Sequence, residues 1–429
     1  MNVPVTLPRP RARLSRRAVL AAGLAPAWAP LRAAGPRQLT VAAFPAVDAI
    51  VEAARPAWRR LHPDVELKVF SRQYADHHTA MTTALSTSAY LPDVMALEST
   101  YVGRFAQGKG LEDLAQPPFG VGRFRERFAR FAYDQAINRR GEVIAVPTDI
   151  GPGTLLYRQD LLARAGLAEA DLTASWDAYV DAGIRLKAAT GAYLIGNAQQ
   201  VKDILIRRGL QPGQGLYFDR DSRALVTSPR FVRAFELARR VRQHKLDARA
   251  YAWSNEWAEG FRRGAVATEP SGAWMVGQMA NWVAPGTRGL WRAAPLPEQT
   301  FVSYGGTYYA MPRRAAAENK ALAWELVQLL TLDRAQQFNA FKAQDAFPAL
   351  VETYDDPFFE EPLPFLGGQR ARLLWRDAAG RIAATQAHKQ SDFANEVVNT
   401  ELANVMDRAK PIDQALADAQ RLIERRALR

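Results

Sequence analysis

The sequence predicts an α/β fold, a doubly wound sheet with helices on both faces, in a chain long enough to divide into two lobes. Hydrophobic patterning alternates strand, helix, strand, helix, strand between Leu39 and Ala96, which is the signature of a wound sheet. The length of 429 residues exceeds what one ordinary core fills. Strand-like runs then return much later, around Ala265 and Val302.

The elements follow in order. Leu39 to Phe44 is an apolar strand-like run. From Asp48 to Leu61, residues Ile50, Ala54, Ala57 and Leu61 recur at helical spacing and define one buried face. Val65, Leu67 and Val69 alternate as a half-buried strand to Phe70. A helical run from Asp76 to Leu85 leads to the short buried strand Asp93-Val94-Met95-Ala96. Glu142 to Pro147 and Thr154 to Tyr157 read as two strands bracketing a turn at Gly151-Pro152-Gly153. Helices are expected over Leu161 to Ala165, Trp176 to Ala189, Phe231 to Val241 and Glu256 to Arg263. Short strands follow at Ala265 to Thr268 and Val302 to Ala310, and two helices broken at Pro411 close the chain. The stretch from Pro364 to Trp375 has no evident reading, and no internal repeat appears.

Composition narrows the function classes. Half of the formal net charge of +12 belongs to residues 1–34, which hold Arg9, Arg11, Arg13, Arg16, Arg17 and Arg32 and no acid. The remaining basic pairs, such as Arg207-Arg208 and Arg262-Arg263, are interspersed with acids and read as solvated helix faces. They form no aromatic-laced stripe, so no nucleic-acid partner is expected. The arginines, followed by small apolar residues from Ala18 to Ala29, read as a secretory signal too short to span a bilayer, rather than an arginine-rich disordered tail. Ser15-Arg16-Arg17 is a twin-arginine pattern, with cleavage after Ala34 preferred to Ala27. No cysteine is present, which excludes disulfides, thiolate chemistry and a lipidated anchor. A soluble protein in a Gram-negative periplasm is the expectation.

Catalytic signatures are weak. There is no Gly-x-Ser-x-Gly elbow and no phosphate-cradling loop, and Gly151-x-Gly153 lacks the third glycine of a dinucleotide site. His77 and His78 are adjacent, so on a helix they diverge and read as a solvated pair rather than a metal face. No enzyme, cofactor or metal is expected. A secreted glycosidase, which needs only two opposed carboxylates, stays open as the lesser alternative.

Five collinear segments carry a family resemblance. They are Pro92-Asp93-Val94 through Gly110-Leu111-Glu112-Asp113-Leu114; Gly141 to Leu162; Phe261 to Ala267 with Gly272-Ala273-Trp274; Tyr304 to Pro312 with its following helix; and Phe347-Pro348-Ala349. Together they resemble the carbohydrate-type extracellular solute-binding proteins, relatives of maltose-binding protein that deliver ligands to ABC importers. The match weakens after residue 350. The resemblance implies a two-lobed type II periplasmic binding protein fold. It assigns residues 37–147 with 302–348 to one lobe and 148–301 with 349–429 to the other. It also implies a sugar captured in the cleft by hinge closure, a membrane permease as partner, and a monomer.

Sugar chemistry indicates which residues belong in such a cleft. Aromatic rings stack on apolar pyranose faces, and carboxylates and amides accept or donate along the hydroxyl rim. Trp274 aligns with the family's stacking position, against core packing as the alternative. Glu98 and Asp149 follow strands and read as hydroxyl acceptors or as helix caps. Tyr304 with Gly305 and Gly306 reads as a ligand-facing strand, or as glycines needed only for tight packing. Gln73 and Asp48 suit ligand contacts and helix starts alike. Trp257 recurs with Trp253 and Phe261 every fourth residue and most simply forms a buried stripe. The aromatic supply, 10 Trp and 13 Tyr, favours sugars over a polyamine, an iron chelate or a phosphorylated polyol.

Overall fold

The computed structural model describes residues 37–427 apart from Pro212 and Ala387. The arginine-rich segment with Arg16 and Arg17 lies outside the described residues. Seven strands form β1 (Arg37–Ala43), β2 (Val65–Ser71), β3 (Val94–Glu98), β4 (Val146–Arg158), β5 (Thr268–Gly272), β6 (Trp291–Ala294) and β7 (Ser303–Ala310). The first sheet runs β2-β1-β3-β7-β4; β1 is parallel to β2 and β3, whereas β7 is antiparallel to β3 and β4. The second places β5 and β6 on either side of β4, both antiparallel to it. One strand therefore belongs to both sheets.

That strand corrects the reading of Gly151-Pro152-Gly153 as a turn. β4 is continuous for 13 residues, roughly 40 Å at about 3.3 Å per residue. Register shifts fall between Pro147 and Asp149 and between Ile150 and Pro152, so the strand bends rather than reverses. The glycines serve close approach instead. A Cβ at Gly151 would lie 2.0 Å from the Tyr304 carbonyl oxygen, and one at Gly153 would lie 2.8 Å from Leu296 Cδ1. The strand expected at Ala265 to Thr268 forms later, at Thr268–Gly272. Its Pro270 is tolerated because β5 is a sheet edge, where a missing N–H leaves no inner ladder bond unmade.

Helices cover the sheets largely as the periodicity predicts: α1 (Val47–Leu61), α2 (Tyr74–Thr87) and α3 (Ser99–Ala106) in the first half, with Trp176–Thr190, Pro229–Gln243 and Asn255–Arg262 in the second. One core joins Val41, Met95, Val146 and Tyr309 of the first sheet and Trp58 of α1 to Trp257, Phe261, Met279 and Trp291. A second core packs Leu155, Trp176, Tyr179, Phe231 and Phe235 beneath the second sheet. The closing helices Ser391–Arg408 and Ile412–Ala427, separated by Pro411, bury Val398, Leu402, Leu416 and Ile423 in that second core.

The stretch from Pro364 to Trp375 now has a physical account. Phe365, Leu366 and Trp375 are buried in the first core. The Gln369 side-chain amide donates to the Ala293 carbonyl and its oxygen accepts from the Ala293 N–H, at 2.6 and 2.8 Å. A side chain thus satisfies the outer edge of β6, as buried backbone groups require.

Candidate functional site

The carboxyl end of β3, the middle of β4 and the start of β7 meet where the two sheets adjoin. Glu98 pairs in register with Thr307, and Thr307 with Asp149, so these three residues form a row across neighbouring strands. The Phe347-Pro348 segment runs beside them, with Ile150 N–H donating to Phe347 O at 2.8 Å and Pro348 bridging to Asp149. Next to this row lies a cavity of about 310 Å³. One wall comes from the starts of α2 and α3, through Tyr74, Ser99, Thr100 and Tyr101; the other is Asp203, Arg207, Tyr217 and Asn395, with Tyr304 between them. A volume of this order suits a small molecule.

Glu98 sits at the N-cap of α3, which explains its position physically. Its carboxylate accepts from the Thr100 N–H (2.8 Å), the Ser99 hydroxyl (2.7 Å), the Thr100 hydroxyl and the Tyr74 hydroxyl (2.9 Å). Capping is therefore real, and through Tyr74 the same carboxylate orients a ring that lines the cavity. Burial, then the nearby Glu98 charge, push the Tyr74 hydroxyl well above the usual tyrosine range, so it stays a donor. Tyr101 stacks on His78 at 3.9 Å.

His77 and His78 correct the expectation of a solvated pair. Both are buried; His77 Nε2 lies 2.7 Å from Ala96 O, and Glu98 N–H donates to His78 Nε2 at 3.1 Å. Burial lowers both imidazoles, His78 to about 4, so they brace β3 as neutral rings. Among the described residues no group of three His, Cys, Asp or Glu could hold a metal ion.

Asp149 is desolvated at the strand junction. Burial pushes its carboxyl up to about 6, opposed by hydrogen bonds from Thr307. Gln73 occupies the N-cap position of α2 with its side chain exposed and unbonded there, beside Tyr74. Asp48 lies in the first turn of α1, where Oδ1 accepts from the Ala49 N–H at 2.7 Å. Of the expected site residues Tyr304 lines the cavity, whereas Gln73, Asp48, Glu98, Asp149, Trp257, Trp274, Gly305 and Gly306 do not. Trp257 is fully buried, edge-on to Phe261 at 4.8 Å, and has no free face for a ligand in this conformation.

Trp274, Tyr304, Gly305 and Gly306 are brought together. The Trp274 indole donates to the Tyr304 carbonyl at 2.7 Å. It lies against backbone stripped of side chains: a Cβ would fall 2.4 Å from Trp274 Nε1 at Gly272, 2.8 Å at Gly305 and 3.1 Å at Gly151. Gly305 and Gly306 also adopt φ of +89° and +124°, which other residues take only with strain. The Tyr304 ring carries the Arg207 guanidinium 5.2 Å from its centroid.

Sequence reasoning missed most of the far wall. Arg207 was grouped with Arg208 as a solvated pair, yet Arg207 lines the cavity while Arg208 turns away to Glu298. Fully buried Lys202 pairs with Asp203, and Tyr217 donates to Asn395 at 2.7 Å. The Tyr217–Asn395 contact joins residues 178 positions apart, so no local pattern announces it. Tyr74 and Tyr101 were findable, since Tyr74 follows Gln73 and Tyr101 lies three residues beyond Glu98.

A buried carboxylate supports this region from beneath. Glu269 in β5 accepts two bonds from the Gln200 amide, at 2.8 and 3.0 Å, while burial pushes its carboxyl from 4.5 up to about 7. A carboxyl raised in the folded state holds a proton that the unfolded chain has already released. Folded stability therefore falls as pH rises from about 4.5 to about 7, and the cost is constant above that. Glu269→Gln removes the titration. Its melting temperature relative to the parent should rise on going from about pH 5 to about pH 8, by up to roughly 3 kcal/mol of stability. A pH-independent difference would show that Glu269 does not titrate in this window.

The family model for bacterial extracellular solute-binding proteins matches residues 41–337. An arabinooligosaccharide-binding protein of Bacillus subtilis (strain 168) is 20% identical over 268 residues, covering 60% of this chain and 61% of that protein. The aligned region thus spans less than two thirds of that relative. A solved extracellular solute-binding protein of family 1 superposes with a TM-score of 0.78 at 25% identity, over 91% of this chain and 100% of the other. An ABC transporter associated binding protein from B. animalis subsp. lactis Bl-04, solved with β-1,6-galactobiose, gives 0.74 at 19% identity over 91% and 97%, a likeness of fold alone. This chain belongs to the bacterial extracellular solute-binding protein family.

Proposed function

We propose that the protein captures a carbohydrate between its two lobes and delivers it to the membrane permease of an ABC importer, without altering it chemically. The observation that carries this reading is the cavity beside the strand junction, where Tyr74, Tyr101 and Tyr304 supply rings and Asp203, Arg207 and Asn395 supply hydroxyl partners. Aromatic rings against apolar sugar faces are worth about 0.5–1.5 kcal/mol each beyond area burial, and charge-assisted bonds about 1.5–3 kcal/mol. Trp274 and Asp149 lie outside the cavity lining, linked to it through the Tyr304 carbonyl and Thr307, and are proposed to reach the ligand as the lobes move. Glu98 acts through Tyr74, and Gln73 and Asp48 come into reach only with movement of their helix starts.

The lobes are residues 37–147 with 302–348 and residues 148–301 with 349–429. They are proposed to hinge at β4, at the approach to β7 and at Phe347-Pro348, where the chain passes between them. Arg104 lies 3.6 Å from Asp392, and Arg139 donates to Ser222 Oγ at 2.8 Å, so contacts join the proposed lobes. A ligand shifts this closed arrangement only by its differential affinity for it.

Thermal-shift screening of the purified protein against sugars tests the reading, with arabino-, malto- and galacto-oligosaccharides in the panel. Stabilisation by one sugar class, with that sugar recovered unchanged after long incubation, is the expected outcome. Hydrolysis products lost on substituting a cleft carboxylate would identify a glycosidase, and stabilisation only by polyamines or phosphorylated polyols would replace the sugar.

Export follows from Arg16 and Arg17. Twin-arginine transport reads the guanidinium pair rather than charge alone, so Arg16→Lys with Arg17→Lys should leave precursor in the cytoplasm on cell fractionation. Normal processing of the double variant would assign the general secretory route. A soluble, unanchored monomer in the periplasm is the form proposed to meet the permease.

A further inference from the structure

We propose that the carbohydrate taken by this cavity is acidic, and that the Arg207 guanidinium receives its uronate carboxylate. The inference rests on the carbohydrate reading above and adds the charge of the ligand to it. Three charged side chains line the cavity: Asp203, Arg207 and Asp392. The protein already answers two of them. Fully buried Lys202 pairs with Asp203, and Arg104 stands 3.6 Å from Asp392. Arg207 has no carboxylate partner among the described residues. Its guanidinium lies over the Tyr304 ring, 5.2 Å from the centroid, and its Nε is buried without a hydrogen-bond partner.

Neighbouring arginines on the same side of the molecule find acceptors in the protein. Arg208 pairs with Glu298, and Arg230 donates to the Gly215 and Leu216 carbonyls at 3.2 and 2.8 Å. Arg207 is left with a ring against its face and with N–H groups that point outward in the guanidinium plane. A half-buried cation in this position lacks both a counter-charge and acceptors. One carboxylate supplies both, through paired N–H···O bonds. A sugar hydroxyl supplies an acceptor and leaves the charge unmatched.

The wall behind Arg207 does not compete for it. Tyr217 donates to Asn395 Oδ1 at 2.7 Å, and Lys202 Nζ lies 3.5 Å from the same oxygen, so Lys202, Asp203, Tyr217 and Asn395 satisfy one another. Glu98 lies outside the lining, its carboxylate covered by the Thr100 N–H and the Ser99, Thr100 and Tyr74 hydroxyls. A carboxylate entering the cavity therefore meets one unbalanced positive charge, in a recess where water screens it less than at the surface.

The test is calorimetric titration of the purified protein with uronate di- and trisaccharides, of galacturonate, glucuronate and mannuronate, each beside its carboxyl-reduced neutral counterpart. The parent should bind one acidic sugar about tenfold tighter than its neutral form, the difference between a charge-assisted and a neutral hydrogen bond. Arg207→Gln should lose about a hundredfold in affinity for the acidic sugar and less than about tenfold for the neutral one, which removes the preference. Arg207→Lys keeps the charge without the planar fork and should retain part of the preference. The apo melting temperature of Arg207→Gln should stay within a few degrees of the parent, because the side chain anchors no other part of the fold. A parent that binds neutral forms as tightly as acidic ones would overturn the proposal, as would an Arg207→Gln protein that still prefers the acid. Binding of phosphorylated sugars with no uronate bound would overturn the carboxylate and assign the guanidinium to a phosphoryl group. Failure of every sugar, acidic or neutral, to bind the parent would remove the carbohydrate reading itself and this inference with it.

Discussion

Gly151→Ala is expected to unfold or severely loosen the junction of the two sheets, because a Cβ there approaches backbone more closely than at any other described glycine. The new Cβ would lie 2.0 Å from the Tyr304 carbonyl oxygen, 2.7 Å from its carbon and 3.1 Å from Trp274 Nε1. The first two are backbone atoms of β7, so no side-chain rotation relieves the clash. Either β4 or β7 must move, and with it the carbonyl that receives the Trp274 N–H. Overpacking a core typically costs 1–3 kcal/mol and occasionally more; against backbone, about 3 kcal/mol or more is expected, a fall in apo melting temperature on the order of 10 °C. Gly286→Ala is the control, since a Cβ there meets nothing within 4 Å. Its melting temperature should stay within a few degrees of the parent. A Gly151→Ala protein that melts beside the Gly286→Ala control would mean that β4 and β7 are not in this contact.

Why the sequence hid this junction is a physical matter. Gly-Pro-Gly is a turn signal because its residues permit turning, but permission is not compulsion. In β4 the same residues are needed because two strands approach too closely for side chains, and only the partner strand, about 150 positions away, reveals that. The shift of β5 to Thr268–Gly272 has the same origin: edge pairing overrides the poor strand propensity of Pro270 and Gly272. Elements with strong periodicity were legible, as in Trp176–Thr190 and the final helices around Pro411, because amphipathic helices carry their own pattern. The site was half legible. The family alignment pointed to Trp274 and the glycine-bearing strand to Tyr304, and Glu98 as a helix cap marked the α3 start. Charge pattern alone could not separate Arg207 from Arg208, since one residue of rotation around a turn decides which faces the cavity. The histidines failed for a related reason: α2 lies so close against β3 and Phe44 that both adjacent rings are enclosed, at 5.5 and 5.4 Å from the Phe44 ring.

Trp274→Ala should cost both affinity and stability, and the ratio of the two measures how the indole divides its work. On the ligand side, losing an indole from a sugar face removes buried area and an aromatic contribution, together about 2–3 kcal/mol. At about 1.4 kcal/mol per tenfold, sugar affinity should fall on the order of 30- to 150-fold. A ring that only lined the cleft would matter little to the empty protein, because it would be exposed when the lobes open. The structure changes that expectation, since the ring is half-buried, bonded to Tyr304 O and stacked on Trp253. Losing one neutral hydrogen bond, about 0.5–1.5 kcal/mol, and one ring stack of similar size should lower apo stability by roughly 1–2 kcal/mol. Trp274→Phe separates the contributions: it keeps a ring for the sugar and discards the donor, so most affinity should survive while apo stability still drops. Calorimetric titration and apo melting on the same preparations decide the matter. If Trp274→Ala binds sugar as tightly as the parent and only melts earlier, Trp274 is a packing residue and the binding surface lies entirely with Tyr74, Tyr101 and Tyr304.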